Sequence, residues 1–310
     1  MHWTSAPDNG QSDAINKGLQ KASGDVCAYL NSDDTYSAGT LARVAAAFER
    51  HPASDFIYGD GEVIDEASQV QWVWLARPYE QSLLTSYHFA WNAFPNYIMQ
   101  QATFWRRRVM EKIGYFDESL HYAMDLEYWV RAGNAGLHLT HVPENLARFR
   151  MIAGTKSLSS PMAFWDDQME IYRRYQPFRR LPKFLSFYYY NAALHMGRLP
   201  EAADAGIFER WAELPDRQRL ERVAALGLAR AALILALHLE RRGESGRAAE
   251  AYGFAVSRRP ILALHYLGIL YKLRLCAPCL ERALHWCYRK AVECYRQRRI
   301  HYRYVAKAKE

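Results

Sequence analysis

The sequence predicts two parts, an α/β region over residues 1–160 and an all-α region over residues 161–310. In the first part, short apolar runs typical of buried strands alternate with stretches of helical periodicity. This rhythm favours a mixed or parallel sheet flanked by helices. In the second part the strand patterns stop, and prolines separate a series of helical stretches. A chain of 310 residues that is 50% hydrophobic is long and apolar enough to build two cores.

The α/β region divides into elements at its turn-forming and helix-capping residues. Helices are predicted over Ser12–Ala22, Thr40–Glu49, Arg106–Ile113 and Asp125–Ala132, strands over Val26–Leu30 and Phe56–Tyr58, and a hairpin from Val63-Ile64 and Val70–Leu75 around Asp65–Gln69. Gly24 ends the first helix, because glycine is a common helix stop. The run Val26–Leu30 is typical of a buried strand, since it is short, mixes β-branched and aromatic residues and lies between turn formers.

The all-α region contains one stretch with the spacing of a helical repeat, around residues 229–275. The small and apolar residues that match a tetratricopeptide-like helix–turn–helix are Ala232, Leu235, Leu239, Gly243, Ala248, Tyr252, Ala255 and Pro260. About three such units are needed for a stable stack. A plain helical bundle explains the same residues equally well, so both interpretations stand.

The net charge of +7 is unevenly distributed. Residues 1–160 carry 13 Lys and Arg against 18 Asp and Glu, whereas residues 161–310 carry 27 against 15. A basic second part is typical of proteins that touch anionic lipid or nucleic acid. The alternative is a solvated helical surface rich in arginine. Because the second part has no nucleic-acid-binding motif, we expect no nucleic-acid partner and allow peripheral contact with a membrane.

Targeting and cysteine patterns indicate a cytoplasmic protein. The N-terminus lacks the charged and apolar pattern of a secretory signal. The best apolar runs, Ala231–Leu237 and Ile261–Tyr271, are shorter than the ~20 residues of a bilayer crossing. Five cysteines, an odd number, favour a reducing compartment. Four of them have spacings compatible with a zinc site, although internal packing is the commoner role: Cys276, Cys279, Cys287 and Cys294.

Two adjacent carboxylates, Asp33 and Asp34, follow the predicted strand Val26–Leu30. In open α/β sheets, ligands bind beyond the carboxyl ends of the strands. Neighbouring like charges repel unless a cation or hydrogen-bond donors neutralise them. A divalent metal holding a diphosphate would do so. The plain alternative is that these acids begin a turn and cap the helix at Thr40.

The surrounding motifs resemble those of the family 2 glycosyltransferases. The matching blocks, in chain order, are Pro7–Gly18, Ala22–Asp25, Asn31–Asp34, Ile57–Asp60, Gln100-Gln101 with Phe104–Arg106, Ile113–Glu118, and Tyr122–Arg131 with Phe149-Arg150. Seven blocks in order over the first 157 residues make a specific match. The resemblance implies a GT-A fold that binds nucleotide sugars and an inverting, metal-dependent transfer of a sugar to a hydroxyl of a glycan or lipid-linked acceptor.

The resemblance also implies roles for three acids. Asp34 is the expected direct ligand of Mn²⁺ or Mg²⁺, and Asp33 is expected to steady the donor's ribose or the water shell of the metal. Asp125 is the expected catalytic base, since it lies where the family places its catalytic acid. The macrodipole at a helix start favours its ionised form. Glu127 is the rival base, two positions further along.

Other polar residues of these blocks are expected to bind substrate. Arg131 and Arg150 have the guanidinium geometry that matches diphosphate oxygens. Gln100 and Gln101 offer amides to sugar hydroxyls, and Asp60 ends a strand in the same crevice. Asp13 and Asn16 belong to a polar helix entry that would face the nucleotide sugar. Each of these residues also has a plain structural explanation as a cap, a surface residue or a packing partner.

The family pattern includes an earlier segment, with the first strand and a nucleobase-binding acid, that has no counterpart upstream of Asp8. We therefore expect a partial GT-A domain over residues 1–160. This departure supports an alternative function, in which the domain is an inactive relic and the helical region binds a protein partner or a membrane surface.

Overall fold

The structure is a computed structural model that describes residues 5–84, 96–152, 154–156, 161–213 and 216–276, together with positions 283 and 286. Three of the four cysteines of the hypothetical zinc site, Cys279, Cys287 and Cys294, lie outside these residues. The chain divides into two compact units. The described part of the first comprises residues 5–84, 96–152, 154–156 and 161–167, and the described part of the second begins at Gln168. Each is described by itself below.

The first unit contains a mixed sheet of six described strands. The strands are β1 (Val26–Cys27), β2 (Thr35–Tyr36), β3 (Phe56–Ile64), β4 (Val70–Trp74), β5 (Thr103–Arg106) and β6 (Leu139–Arg150). They are arranged in the order β1-β5-β3-β6-β2, with β4 paired to β3. Among the described strands β3 and β6 pair in parallel, and the other pairings are antiparallel. The predicted mixed sheet is confirmed.

Two predicted strands differ in extent from the observed ones. β1 ends at Cys27, so Leu30 lies beyond the ladder and the Asp33-Asp34 pair follows after an extended stretch. β3 is longer than predicted and continues to Ile64, since it pairs along its length with the twelve-residue β6. The predicted hairpin is present as β3 and β4, joined by a turn in which Ser68 has a φ of 62°.

Five helices flank this sheet in the described part of the first unit: α1 (Gln11–Lys21), α2 (Thr40–Arg50), α3 (Gln81–Leu84), α4 (Arg108–Ile113) and α5 (Met124–Asn134). A sixth, α6 (Pro161–Tyr175), begins in this unit and ends in the next. Burial explains the position of α5, because its side chains Tyr128 and Trp129 are fully buried. Their rings meet Phe56 edge-on at 6.2 and 5.6 Å between centroids. Aromatic packing of this kind fixes the helix on the sheet.

The second unit is helical throughout its described residues. Its helices are α7 (Leu181–Met196), α8 (Ile207–Arg210), α9 (Arg217–Arg241), α10 (Ser245–Arg258) and α11 (Tyr266–Cys276). The predicted all-α region is therefore confirmed. The longest helix, α9, packs against α7, α10 and α11. A helix with neighbours on several sides is typical of the centre of a bundle.

Helix α9 also meets the length and composition of a membrane span, with a mean hydropathy of 1.7 in its most apolar window. The sequence-based expectation considered only shorter apolar runs and did not identify this helix as a candidate membrane span. However, 67% of that window is buried inside the unit. A buried apolar helix passes the same test as a membrane span, so the burial favours a core helix.

The helix–turn–helix around residues 229–275 is present as α9 and α10, joined at Gly243, whose φ is 81°. Several residues of the predicted repeat lie in their shared core: Ala232, Leu235, Leu239, Ala248 and Ala255. The first helix has 25 residues and also packs on α7. The bundle and the repeat both account for this hairpin, and the packing of α9 against α7 as well as α10 favours the bundle.

Candidate active site

Asp34 is anchored by the protein itself. Its carboxylate is 5% exposed, and Oδ1 accepts a hydrogen bond from the Arg150 backbone N at 2.8 Å. Oδ2 accepts from Gln101 Nε2 at 2.8 Å and from Asn31 Nδ2 at 3.2 Å. Burial raises the pKa of this carboxyl above its usual value, despite these donors. Both oxygens of Asp34 therefore already have protein partners.

Asp33 has the opposite environment. Its side chain is exposed, and its backbone oxygen accepts a hydrogen bond from Arg150 Nε at 2.9 Å. Among the residues that the structure describes, none donates a hydrogen bond to the Asp33 carboxylate. The two adjacent acids thus differ in what they offer a ligand. Direct ligation of a metal by Asp34 stays a prediction, but the geometry favours the accessible carboxylate of Asp33.

Arg150 fastens this acidic turn to the β3–β4 hairpin. Besides Asp33, its guanidinium donates to the backbone oxygens of Asp65 and Glu66, at 2.7 and 3.1 Å, and to Ser68 Oγ at 3.0 Å. These bonds engage Nε, Nη1 and Nη2. The predicted clasp of diphosphate oxygens by Arg150 stays a prediction, and the structure gives the guanidinium another role. Its side chain is committed to loop carbonyls and supports the position of Asp33 and Asp34.

Gln100 and Gln101 have structural partners too. Both are buried in a short 3₁₀ turn before β5. Gln100 Nε2 donates to the Tyr29 backbone oxygen at 2.9 Å, and Gln101 Nε2 donates to Asp34. The predicted binding of sugar hydroxyls by these amides stays a prediction, while burial and these bonds give both side chains a structural role. They hold the segment that leads from β1 to the acid pair.

Asp125 lies in the first turn of α5 and is partly buried. Its Oδ1 accepts a hydrogen bond from the Leu126 backbone N at 2.7 Å, and Oδ2 accepts from Asn96 Nδ2 at 3.3 Å. Burial raises the pKa of Asp125 to about 6. Desolvation thus outweighs the helix macrodipole, which was expected to lower this pKa. A carboxylate with a pKa close to neutrality is suited to accept a proton.

Tyr29 connects Asp125 with the acid pair. Its ring packs edge-on against Phe116, with 5.4 Å between centroids. Burial, followed by the negative charges of Asp125 and Asp34, raises the pKa of the Tyr29 hydroxyl well above its usual value. Both carboxylates therefore lie close enough to act on one phenol. The fold brings together acids that are 91 positions apart in the sequence.

Glu127 and Arg131 form an ion pair in which Glu127 is buried and Arg131 is partly exposed. The carboxylate of Glu127 accepts from Arg131 Nε and Nη2 at 3.0 and 2.9 Å. Arg131 also donates to the backbone oxygens of Ile113 and Tyr115. The role of Glu127 as rival base and that of Arg131 as diphosphate ligand stay predictions, although both side chains have partners within the protein. Together they tie α5 to the end of α4.

Asp60 lies within β3, not at the end of a strand as predicted. The pairing of β3 with β6 shifts register on both sides of it. Its Oδ1 accepts from the Ala76 backbone N at 2.8 Å and lies 3.0 Å from His141 Nε2. Asp60 therefore orders the segment that follows β4, and its predicted place in a substrate crevice stays a prediction.

The two polar residues of α1 predicted to bind substrate, Asp13 and Asn16, are buried. Asp13 accepts from the Asn9 backbone N and from Lys17 Nζ, both at 2.7 Å, and these bonds lower its pKa. Asn16 exchanges hydrogen bonds with the Phe116 backbone at 2.9 and 3.0 Å. Both substrate-binding roles stay predictions, and in the structure these side chains hold α1 in place.

The neighbouring Gln11, by contrast, is linked to Asp34 through Asn31. Its Nε2 donates to Asn31 Oδ1 at 2.9 Å, and Asn31 in turn donates to Asp34. Gln11 and Asn31 also line a cleft of about 540 Å³ between α1 and the segment Val26–Asn31. Gln11 is part of the polar helix entry that was expected to face the nucleotide sugar, whereas Asn31 belongs to a quoted motif but was given no role of its own. Asn96 was missed entirely, since nothing in the sequence links it to Asp125.

A divalent cation fits the acid pair only with help from its substrate. In the described part of the chain, no three His, Cys, Asp or Glu side chains come together as a metal cage. The accessible Asp33 carboxylate is a hard oxygen ligand of the kind that Mg²⁺ and Mn²⁺ take. Diphosphate oxygens and water would complete the coordination.

The sequence of this chain is similar to those of several known proteins. Residues 4–114 match the family described as Glycosyl transferase family 2. Relatives named PGL/p-HBAD biosynthesis glycosyltransferase, from Mycobacterium bovis and Mycobacterium tuberculosis, are 33% identical over 125 residues, 40% of this chain and 44% of theirs. The uncharacterized glycosyltransferase YwdF of Bacillus subtilis is 26% identical over 129 residues, 40% of this chain and 45% of its own.

Solved structures of S. aureus TarS are also similar. One matches over 78% of this chain and 42% of its own, at 18% identity and a TM-score of 0.45. Another, TarS 1–349 in complex with UDP, matches over 76% and 72% of the two chains, at 15% identity and a TM-score of 0.39.

Residues 4–114 of this chain thus match the family that the motifs indicated, and the described part of the first unit has the mixed sheet with flanking helices that was expected. The chain spans less than half the length of the curated relatives that it matches.

Proposed function

We propose that the first unit transfers a sugar from a nucleotide-sugar donor to a hydroxyl of a glycan or lipid-linked acceptor, with inversion and with Mn²⁺ or Mg²⁺. The observation that carries the proposal is Asp125, a partly buried carboxylate in the first turn of α5 that has a pKa of about 6 and, like Asp34, raises the pKa of Tyr29. The family match of residues 4–114 supports the reaction class.

In this reaction Asp125 accepts the proton of the acceptor hydroxyl while that oxygen attacks the anomeric carbon and the bond to the diphosphate breaks. A single displacement of this kind inverts the anomeric centre. A divalent cation would supply charge neutralisation for the departing diphosphate when bound. Asp33 would hold it from the protein side, and Asp34 fixes the turn that carries Asp33.

The second unit is proposed to make peripheral contact with an anionic membrane surface, in a cytoplasmic protein. The excess of 27 Lys and Arg over 15 Asp and Glu in residues 161–310 supports this contact. Such contact would keep a lipid-linked acceptor near the first unit.

The test is a calorimetric titration with UDP-, GDP- and TDP-sugars, with and without Mn²⁺, followed by a transfer assay. We expect Mn²⁺-dependent binding of one donor. Asp33→Asn should abolish the Mn²⁺ dependence without lowering the melting temperature. Asp34→Asn should weaken binding and also reduce the free energy of unfolding by about 1–3 kcal/mol, since it disturbs buried hydrogen bonds.

Glu111→Gln is the matched control, because Glu111 is an exposed acid on α4. It removes one negative charge from the same unit and should bind as the wild type does. Absence of binding and transfer across the whole panel would reject the enzyme and favour the relic alternative. Wild-type Mn²⁺ dependence in Asp33→Asn would reject Asp33 as the cation ligand.

A further inference from the structure

The start of helix α5 is held by a residue from a distant part of the chain. The residue that precedes the helix, Ala123, has no side chain able to cap it. The carboxylate of Asp167, in α6, takes this place. Its Oδ2 accepts hydrogen bonds from the backbone N of Tyr122 at 2.5 Å and of Ala123 at 3.0 Å. Asp167 and α5 belong to the same compact unit.

A lysine completes this contact. Lys156 Nζ lies 5.3 Å from the centre of the Tyr122 ring and donates to Gln11 Oε1 at 3.0 Å. Attraction to Asp167 partly offsets the effect of burial, which lowers the pKa of Lys156. The segment that enters α5 is therefore fixed from three sides, by α6, by the residues that follow β6 and by α1.

We infer that Asp167 is a positioning residue for the proposed base Asp125. Asp125 follows Ala123 by two residues, so the two amides that Asp167 binds set the direction in which the chain enters the first turn of α5. A carboxylate next to a helix N-terminus also stabilises the helix start. The inference rests on the proposed function, in which the Asp125 carboxylate has to meet the acceptor hydroxyl.

If Asp167 positions Asp125, removal of its carboxylate should lower the rate of transfer and not the affinity for the donor. Misplacing a catalytic group by about 1 Å can cost on the order of 100-fold in rate. The donor site around Asp33 and Asp34 takes none of its hydrogen bonds from Asp167. Removal of the Asp167 carboxylate should therefore leave donor binding intact.

The experiment compares Asp167→Ala and Asp167→Asn in the full chain with the wild type. We expect Asp167→Ala to lower kcat by about 10- to 100-fold, with the KM for the donor unchanged within about twofold. Asp167→Asn keeps a side-chain oxygen that can accept both amides and should restore most of kcat. Hydrogen exchange at the Tyr122 and Ala123 amides should accelerate in Asp167→Ala and not in Asp167→Asn.

Asp216→Ala is the matched control. Asp216 caps α9 in the second unit by accepting from the Arg219 backbone N at 2.8 Å, so its loss removes a comparable cap away from the site. It should leave kcat unchanged. Wild-type kcat in Asp167→Ala, or an equal fall of kcat in Asp167→Asn, would overturn the inference.

If the wild type itself transfers no sugar, the proposed function fails. The exchange measurement still tests whether Asp167 anchors the Tyr122 and Ala123 amides. Unchanged exchange at Tyr122 and Ala123 in Asp167→Ala would overturn the anchoring, and accelerated exchange would support it.

Discussion

At the scale of single residues, burial determines what each acid of the site does. Asp34 and Asp33 are adjacent, yet one is enclosed by three donors and the other is exposed. Asp125 is partly buried, and because burial raises its pKa to about 6 it keeps its proton to a higher pH than an ordinary aspartate. The chemistry of these identical side chains is set by their surroundings.

The first prediction concerns Asp125 and pH. A base acts in its deprotonated form, so kcat of the wild type should fall about tenfold per pH unit below pH 6, following the Asp125 pKa of about 6. Asp125→Asn should lower kcat by about 10²- to 10⁴-fold at neutral pH and keep donor binding. Initial rates between pH 4.5 and 8 provide the measurement. Glu111→Gln should retain the wild-type profile, and full turnover in Asp125→Asn would contradict the assignment.

At the scale of elements, Arg150 at the end of β6 links three segments. Its backbone N binds Asp34, and its guanidinium binds Asp33 and the β3–β4 turn. A guanidinium reaches this many acceptors because its donors form a planar fork, whereas an ammonium is a point charge. The acid pair thus depends on a hairpin that follows it by about thirty residues.

The second prediction follows from this link. Arg150→Lys should reduce the free energy of unfolding by about 2–4 kcal/mol, because lysine cannot reproduce the bonds to Asp33 and the turn. It should also weaken donor binding, since the turn that carries Asp33 loses its support. Chemical denaturation and calorimetry provide the measurements. Arg50→Lys, at an exposed helix end, should change stability by less than about 0.5 kcal/mol. Equal effects in the two variants would contradict this role.

At the scale of the whole molecule, the chain builds two compact units with separate cores. The second unit is organised by α9, which approaches α7 closely at Gly227. A Cβ placed on Gly227 would lie 2.6 Å from Leu185 Cβ. Glycine is required here by the close contact of two helices and not by its backbone angles.

The third prediction tests this contact and the independence of the units. Gly227→Ala should destabilise the second unit by about 1–3 kcal/mol, because the added methyl group overpacks a tight contact. Nucleotide-sugar binding by the first unit should stay unchanged. Gly246→Ala is the control, since a Cβ at Gly246 in α10 meets nothing within 4 Å. It should stabilise α10 by about 0.5–1 kcal/mol. Calorimetric scans and donor titrations of both variants distinguish these outcomes.

The sequence by itself determined the fold class and the motifs of the site. Local periodicity and turn residues identified the α/β part, the hairpin after β3 and the helical region. These features follow from short-range rules, and the structure confirms them. The family resemblance likewise rests on residues that can be read in order along the chain, and it placed Asp33, Asp34 and Asp125.

The tertiary structure alone decided which polar residues face a ligand and which hold the fold. Arg131, Arg150, Gln100, Gln101 and Asn16 have the side chains of binding residues, yet their donors are used within the protein. Their partners lie far away in the sequence, as does Asp167 from the helix start that it holds. Burial and hydrogen-bond partners arise from packing, so no local pattern could assign these roles.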